Sequence, residues 1–548
     1  MPSRYLINTP HLSSIFEDDR HLAELASSLA AFLENQRWFA AKTEGIRSVE
    51  ILDSVEIPGE DTTFELVLAT VLTNGGSADC YAVPMTSAPP NEIGSINAII
   101  AELDSDEASP DASARLVECS GNPEFWRATT ATLADRTLTT RHGREVRLSR
   151  TLNSQLWLSD VLRDSAFTIH GGEQSNSAVA IGDDFFLKLF RRPRVGHNPD
   201  AEVGTFLTDR TEFRNSPRID ATINIAGHDG NRCLALISEQ VSAEADAWTY
   251  TLASLKDYWE RLAEFDDRPE SLPQLDLLKS EMVEGSLSKI EHLVAPLVGT
   301  FRDDVANLGR RTAEMHAALS SCRDDPAFAP EPLTQESLIE LVAQIRTEVQ
   351  STCELLEQAG PIEKSVACLP QKISIRANTL LDEIASLEPV KANVVSIRCH
   401  GDYHLGQVLR TDSDFIILDF EGEPDRPFDE RRQKRCAMKD VAGMIRSLHY
   451  ASCGATVGML PSPAPTICNP SQWQTFWYEN VRAAFLAGYE SKATGQSFLP
   501  ADRPTFQQLL DLFLIEKVLY ELRYEINNRP DWVKIPLAGL NAVLGLSK

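Results

Sequence analysis

The chain is 548 residues long, enough for several packed units, and its 43% hydrophobic and 24% charged residues exclude a disordered, collagenous or fibrous chain. With 80 acidic against 52 basic residues the formal charge is −28, which opposes a broad nucleic-acid or anionic-membrane surface. A small phosphorylated ligand held by a few local cations and a metal stays compatible with that charge.

Cysteines run from Cys80 to Cys468 with no CxxC pair, so free thiols are expected, and no apolar run follows Arg4. A cytoplasmic chain without a membrane-spanning segment is the expectation. Residues 20–42 open with the helical pattern Leu22, Leu25, Leu29, Phe32, Leu33 and end in the cluster Arg37-Trp38-Phe39-Ala40-Ala41-Lys42. From 49 to 150 the period is that of strands; Thr63–Thr73, a turn at Asn74-Gly75-Gly76 and Cys80–Val83 predict a hairpin. The acidic stretch Asp104–Asp111 predicts a solvated loop. A second β section over 165–242 holds Ala178–Ile181, a turn at Asp183-Asp184, Phe185–Phe190 and Leu234–Ser238. From 246 the helical period dominates, as in Leu338, Leu341, Val342, Ile345, Val349 and Leu356, with Thr334 as N-cap and Gly360 as the stop. A short β-like interruption at 394–422 holds the densest set of reactive side chains. The plan is α+β with two lobes: an N-terminal β-rich unit over 1–150, the rest of a β-rich lobe over 151–245, and a mainly helical lobe over 246–548.

Within that interruption, Cys399-His400-Gly401-Asp402-Tyr403-His404-Leu405-Gly406-Gln407 sets one carboxylate among glycines, followed by a carboxamide. An apolar run then delivers Ile417-Leu418-Asp419-Phe420-Glu421. An Asp base, an amide and a metal-binding Asp in that order are how kinases surround a transferring phosphoryl group. The two motifs together outweigh the alternative, in which Asp402 caps a helix and Asp419 ends a strand. Upstream, Gly171-Gly172-Glu173-Gln174-Ser175-Asn176-Ser177 joins two extended runs. Its backbone N–H groups can face phosphate oxygens, and it can equally be a plain hairpin turn. Lys188 sits in the apolar run Phe185–Phe190, where a cation costs desolvation energy unless it meets an anion; kinases use such a Lys for the α/β-phosphates. Glu202 is the helix carboxylate expected to orient it, or else a solvated first-turn residue.

Near the C-terminus Ile515, Leu519, Leu522 and Ile526 make a buried helical stripe. The neighbouring stripe Glu516, Tyr520, Arg523, Asn527 is polar with one aromatic, which suits a sugar, and otherwise reads as an ion-pair face. His400 is expected to brace the catalytic loop and Asp440 to anchor it, a plain N-cap being the alternative for Asp440. Trp473 and Trp477 are expected in the core, and no His/Cys/Asp spacing suggests zinc.

Gln36–Phe39, Gly172–Ser177, Lys188–Arg192, Leu308–His316, the 399–409 and 416–424 motifs, Asp440–Ser447 and Glu516–Trp532 together resemble the maltokinase family. These are bacterial relatives of the aminoglycoside phosphotransferases, and the resemblance is strongest to the maltokinase module often fused to trehalose synthase. It implies a bilobal protein-kinase-like fold with an N-terminal cap subdomain and a helical C-lobe. It also implies ATP-dependent phosphorylation of the anomeric hydroxyl of maltose, for α-glucan synthesis. On this reading Gln174, Ser175, Asn176, Ser177, Lys188 and Glu202 serve the nucleotide. Gln407 and Asp419 hold Mg²⁺, with Glu421 as a further ligand, and Asp402 orients and deprotonates the sugar hydroxyl. His404, Glu516, Tyr520, Arg523, Tyr524 and Asn527 are the sugar-site candidates. Gln407 stands where most kinases have Asn, and the DFEGE sequence stands where they have DFG, as in the maltokinase pattern. The expected partners are ATP, a small sugar and, by the fusion precedent, a trehalose synthase. A glucosamine or other hexose kinase on the same scaffold is the nearest rival. A catalytically silent sugar-binding module is a second, and the intact Lys188, Asp402 and Asp419 argue against it.

Overall fold

A computed structural model of the protein describes residues 6–9, 11–89, 98–104, 114–155, 165–170, 175–227, 230–265, 291–358, 369–387, 394–424, 426–455, 457–464 and 466–546. The chain divides into two compact units, Met1–Asp209 with Pro217–Val241, and Arg210–Ser216 with Ser242–Lys548. It is an α+β protein: the first unit carries two large sheets and the second is mainly helical.

The first helix, Asp19–Glu34, starts where Asp18 accepts a hydrogen bond from the Arg20 N–H and buries Leu25, Leu29, Phe32 and Leu33. It stops before Arg37–Lys42, and Phe39 turns inward onto the Tyr81 ring, centroids 5.3 Å apart. The predicted hairpin is present as Thr63–Thr73 and Ala78–Ala88, antiparallel from Phe64↔Thr86 to Leu72↔Ala78. Gly76, at φ +86°, takes the left-handed turn position that favours glycine. This hairpin lies inside a six-stranded sheet. The acidic stretch 104–111 lies, Asp104 apart, outside the described residues.

Helix Pro123–Asp135 departs from the all-strand expectation for 49–150. Asn122 caps it through the Glu124 N–H, Pro123 sits at its first turn, and Phe125, Trp126 and Leu133 are buried. The second sheet, of seven strands, contains Ser177–Ile181 paired with Phe185–Leu189, which in turn pairs with Arg232–Glu239. One apolar core, including Phe64, Trp126, Leu187 and Ile223, joins the two sheets through this helix.

In the second unit Thr334 accepts from the Ser337 N–H at 3.1 Å and starts helix Gln335–Gln358, while Gly360 lies outside the described residues. Helices Phe301–Leu319 and Pro470–Ala493 approach so closely that a Cβ on Gly309 would stand 2.1 Å from the Phe485 carbonyl oxygen. Trp473 and Trp477 are buried there. Strands Val408–Arg410 and Phe415–Ile417 form the hairpin of the β-like interruption, extended by Ala245–Asp246. The described cysteines are free thiols, and no described helix is long and apolar enough to cross a membrane.

Candidate active site

In the first unit Lys188 occupies the strand Phe185–Leu189, opposite Ala178 and Leu236. The desolvation cost of this half-buried ammonium is met by Asp200, whose Oδ2 lies 3.0 Å from Nζ. The expected partner was Glu202. Both residues sit in the first turn of helix Pro199–Arg210, Asp200 buried and Glu202 half-buried. Gln174 lies outside the described residues, as do Gly171–Glu173. Ser175 is exposed. Asn176 Oδ1 accepts from the Arg191 N–H at 3.2 Å and Ser177 Oγ from Arg191 Nε at 2.8 Å, so both side chains meet an arginine rather than open space.

In the second unit the catalytic-loop motif is fixed from beneath. Asp440, in the first turn of Met438–Ser452, accepts from the His400 N–H at 2.8 Å and the Gly401 N–H at 2.9 Å. His316 Nε2 completes its shell at 3.1 Å, and His316 Nδ1 meets the Tyr489 hydroxyl at 2.9 Å. Burial pushes the Asp440 pKa up, but His316, His400 and the Gly401 N–H outweigh it and hold the carboxyl below the usual aspartate value. Asp440→Asn is expected to cost about 3 kcal/mol, from charge-assisted bonds lost in a buried site. An unshifted urea midpoint excludes that. Because the folded pKa is depressed, the contribution is complete above the unfolded value of about 3.9 and fades as the pH falls below it.

His400 Nε2 bonds the Leu418 carbonyl at 2.8 Å, tying the loop to the segment that leads from strand Phe415–Ile417 to Asp419. Asp419 is left-handed at φ +64°, and its Oδ2 accepts from Gln407 Nε2 at 3.0 Å. Glu421 follows in the same turn, half-buried.

Asp402 is held by a residue the sequence reading passed over. Lys517 Nζ lies 3.1 Å from its Oδ1, across the helix Arg503–Asn528. Burial opposes the Lys517 charge, but Asp402, Glu423 and Glu521 raise its pKa above the ordinary lysine value. Lys517 also sits 5.0 Å above the Tyr520 ring, one turn on, so the polar stripe that named Tyr520 already pointed at it. His404 Nε2 is 3.9 Å from Asp402 Oδ2, and its Nδ1 accepts from the Gly406 N–H at 3.1 Å. Burial holds this imidazole below the usual histidine pKa, against the neighbouring Asp402 charge; it does not line the cavity next to it.

That cavity is lined by Gly401, Tyr403 and Lys517 and by three of the sugar-site candidates, Glu516, Tyr520 and Arg523. Tyr524 and Asn527 do not line it. Tyr524 is 43% exposed beneath Arg529, and Asn527 is exposed about 10 Å further along the helix from Tyr520. The remaining wall was not foreseen: Glu348, Glu423, Arg426, Lys439, Gly443 and Phe513. Lys439 Nζ reaches Glu423 at 3.2 Å and Glu516 at 3.5 Å, and Arg426 bonds both carboxylates. Burial acts against the Glu423 charge, yet Lys439, Arg426 and Lys517 lower its pKa to about 2. Glu423 ends the DFEGE run, whose second glutamate was the signal available in the sequence.

Residues 32–112 match the family described as the maltokinase N-terminal cap domain. A glucosamine kinase of Streptacidiphilus jiangxiensis is 29% identical over 245 residues, 44% of this chain and 49% of that enzyme. The chain thus matches about half the length of that relative. A glucosamine kinase of Mycolicibacterium smegmatis is 24% identical over 408 residues, 74% of this chain and 84% of that enzyme. The solved structure of a glucosamine kinase in complex with glucosamine, ADP and inorganic phosphate shares the fold. Its TM-score is 0.58 at 18% identity, covering 95% of this chain and 99% of that one. Residues 32–112 thus resemble a maltokinase cap, the chain shares its α+β fold with a solved glucosamine kinase, and these two relatives are named as kinases.

Proposed function

We propose that the protein is an ATP-dependent sugar kinase whose acceptor is maltose, with maltose 1-phosphate and ADP as products. The observation that carries this is Asp402, held by Lys517 beside a cavity walled by charged side chains on the C-terminal helix. In this reading Lys188 in the first unit binds the nucleotide phosphates, with Asp200 as a described partner. In the second unit Gln407, Asp419 and Glu421 offer only oxygen donors of the kind a hard cation takes, so this set fits Mg²⁺. Bound there, Mg²⁺ supplies charge neutralisation on the transferring phosphoryl group. Asp402 accepts the sugar hydroxyl proton and aims the oxygen; Lys517 holds that carboxylate in place. Residues 1–150 serve as the cap, 151–245 as the rest of the small lobe and 246–548 as the large lobe. A cytoplasmic location and a trehalose synthase partner accompany this reading.

Maltose is favoured by charge balance. Asp402, Glu348, Glu423 and Glu516 each have a cation within 3.5 Å, supplied by Lys517, Arg523 and Lys439. A neutral polyol finds donors and acceptors there without leaving an ion unmatched. One observation favours glucosamine instead. Burial first, and then the neighbouring Glu516 charge, raise the Glu348 pKa in spite of Arg523, and an ammonium group would relieve that carboxylate.

ATP consumption with maltose, glucose, glucosamine and trehalose separates these readings. Turnover of maltose is expected, preference for glucosamine selects the second reading, and turnover of none selects a silent module. Tyr520→Phe and Arg523→Ala are each expected to raise the KM for the sugar by an amount corresponding to about 1–3 kcal/mol, with little change for ATP. A fall in ATP affinity with unchanged sugar constants places the acceptor elsewhere.

A further inference from the structure

Two motifs that the site leaves unused, Arg37-Trp38-Phe39 after the first helix and Arg191-Arg192 after the strand of Lys188, meet inside the first unit. Arg191 is 1% exposed, a costly position for a guanidinium unless its donors are matched. On one side Nη2 donates to Glu118 Oε1 at 2.8 Å and Ser120 Oγ at 2.7 Å, and Nη1 to the Ala82 carbonyl at 3.4 Å. The guanidinium lies over the Trp38 ring, 4.5 Å from its centroid, and the Arg191 carbonyl accepts from the Ala82 N–H at 2.9 Å. Trp38 and Ala82 belong to the stretch that matches the cap domain. On the other side Nε donates to Ser177 Oγ at 2.8 Å and the backbone N–H to Asn176 Oδ1 at 3.2 Å.

One buried fork thus joins the cap to the end of the glycine-rich loop, and it does so from the chain that carries Lys188. Ser177 and Lys188 lie on adjacent strands, Ser177 opposite Leu189. A guanidinium is planar, so its donors are fixed relative to one another: when the Glu118 carboxylate and the Trp38 ring set the plane, the direction of Nε toward Ser177 is set too. We propose that Arg191 is a positioning residue through which the cap holds the nucleotide loop, so that an intact cap is a condition for tight ATP binding. The inference rests on the reading of Ser175–Ser177 and Lys188 as the nucleotide site.

The test uses substitutions on the cap side, Glu118→Gln and Ser120→Ala, which leave the loop and Lys188 unaltered, together with Arg191→Lys. ATP binding by calorimetry, KM for ATP, KM for the sugar and the thermal midpoint are measured on the full chain. Arg191→Lys and Glu118→Gln are expected to weaken ATP binding about tenfold, the loss that goes with charge-assisted hydrogen bonds, and the KM for the sugar is expected to hold. Ser120→Ala should move the same constant in the same direction by less. If Arg191→Lys does not fold, the two cap-side variants decide. A lower thermal midpoint with ATP constants within about twofold of wild type makes Arg191 a structural tie only and overturns the inference. Failure of the wild-type chain to bind ATP overturns the nucleotide reading and the inference with it, a result distinct from normal wild-type binding with insensitive variants.

Discussion

Asp402→Asn is expected to lower the rate of phosphoryl transfer by about 10²–10⁴-fold, the usual loss when a positioned base is removed, and to leave ATP binding in place. The substitution is close to isosteric, and the loop around it is fixed by others: Asp440 holds the His400 and Gly401 N–H groups, and His400 holds the Leu418 carbonyl. Lys517 loses one partner but keeps the charges of Glu423 and Glu521, which also support its protonated form. The fold should therefore survive, and the loss should appear in kcat. ADP release in a single turnover and calorimetry with ATP separate the two effects. Turnover near the wild-type level assigns Asp402 a structural part. Lys517→Met provides the contrast: the base remains but is no longer held, so kcat should fall by less, about tenfold, with the KM for ATP unchanged.

What the sequence made legible was local. Short β-like runs located the hairpin Thr63–Ala88 and the Lys188 strand, the helical period located Gln335–Gln358 and the C-terminal half of Arg503–Asn528, and motif spacing placed Asp402, Gln407 and Asp419 around one hairpin. Periodicity reports which face of an element is buried and is silent on what it is buried against. Each miss follows from that. Lys517 reaches Asp402 over 115 positions, and Arg523 reaches Glu348 over 175. Arg191 reaches Glu118 over 73.

Two misses had a readable sign. Asn122-Pro123-Glu124 is a helix start, but it stands among strand signals, and the helix Pro123–Asp135 is needed to close the core shared by the two sheets. Asp200, two positions before Glu202 in the same first turn, was passed over although its carboxylate meets Lys188 at 3.0 Å. On the C-terminal helix the stripe was drawn too long. Its apolar side stays buried as far as Leu522, while its polar side faces a cavity over the 516–523 turns alone and leaves Tyr524 and Asn527 exposed.

Asp419→Asn is expected to raise the Mg²⁺ concentration needed for half-maximal rate by at least about 10–100-fold, the range seen when groups around a metal are altered. The backbone makes this variant unusually clean. Asp419 and Asn469 are the only described non-glycine residues at positive φ, and Asn is one of the few side chains that tolerates the left-handed region. An Asn at 419 can keep φ near +64° and still accept from Gln407 Nε2, so what leaves the site is the formal charge and one oxygen donor, with the backbone kept. Ala at the same position would add backbone strain and blur the result. Lys188→Ala should behave differently: at saturating Mg²⁺ it weakens productive use of ATP, because on the proposed reading its ammonium serves the phosphates and not the cation. Titrating Mg²⁺ against rate at fixed ATP therefore gives two distinct signatures. If both variants keep the wild-type metal dependence, the cation belongs to other oxygen donors, and Glu421→Gln, two positions along the same turn, is the substitution that would then have to shift it.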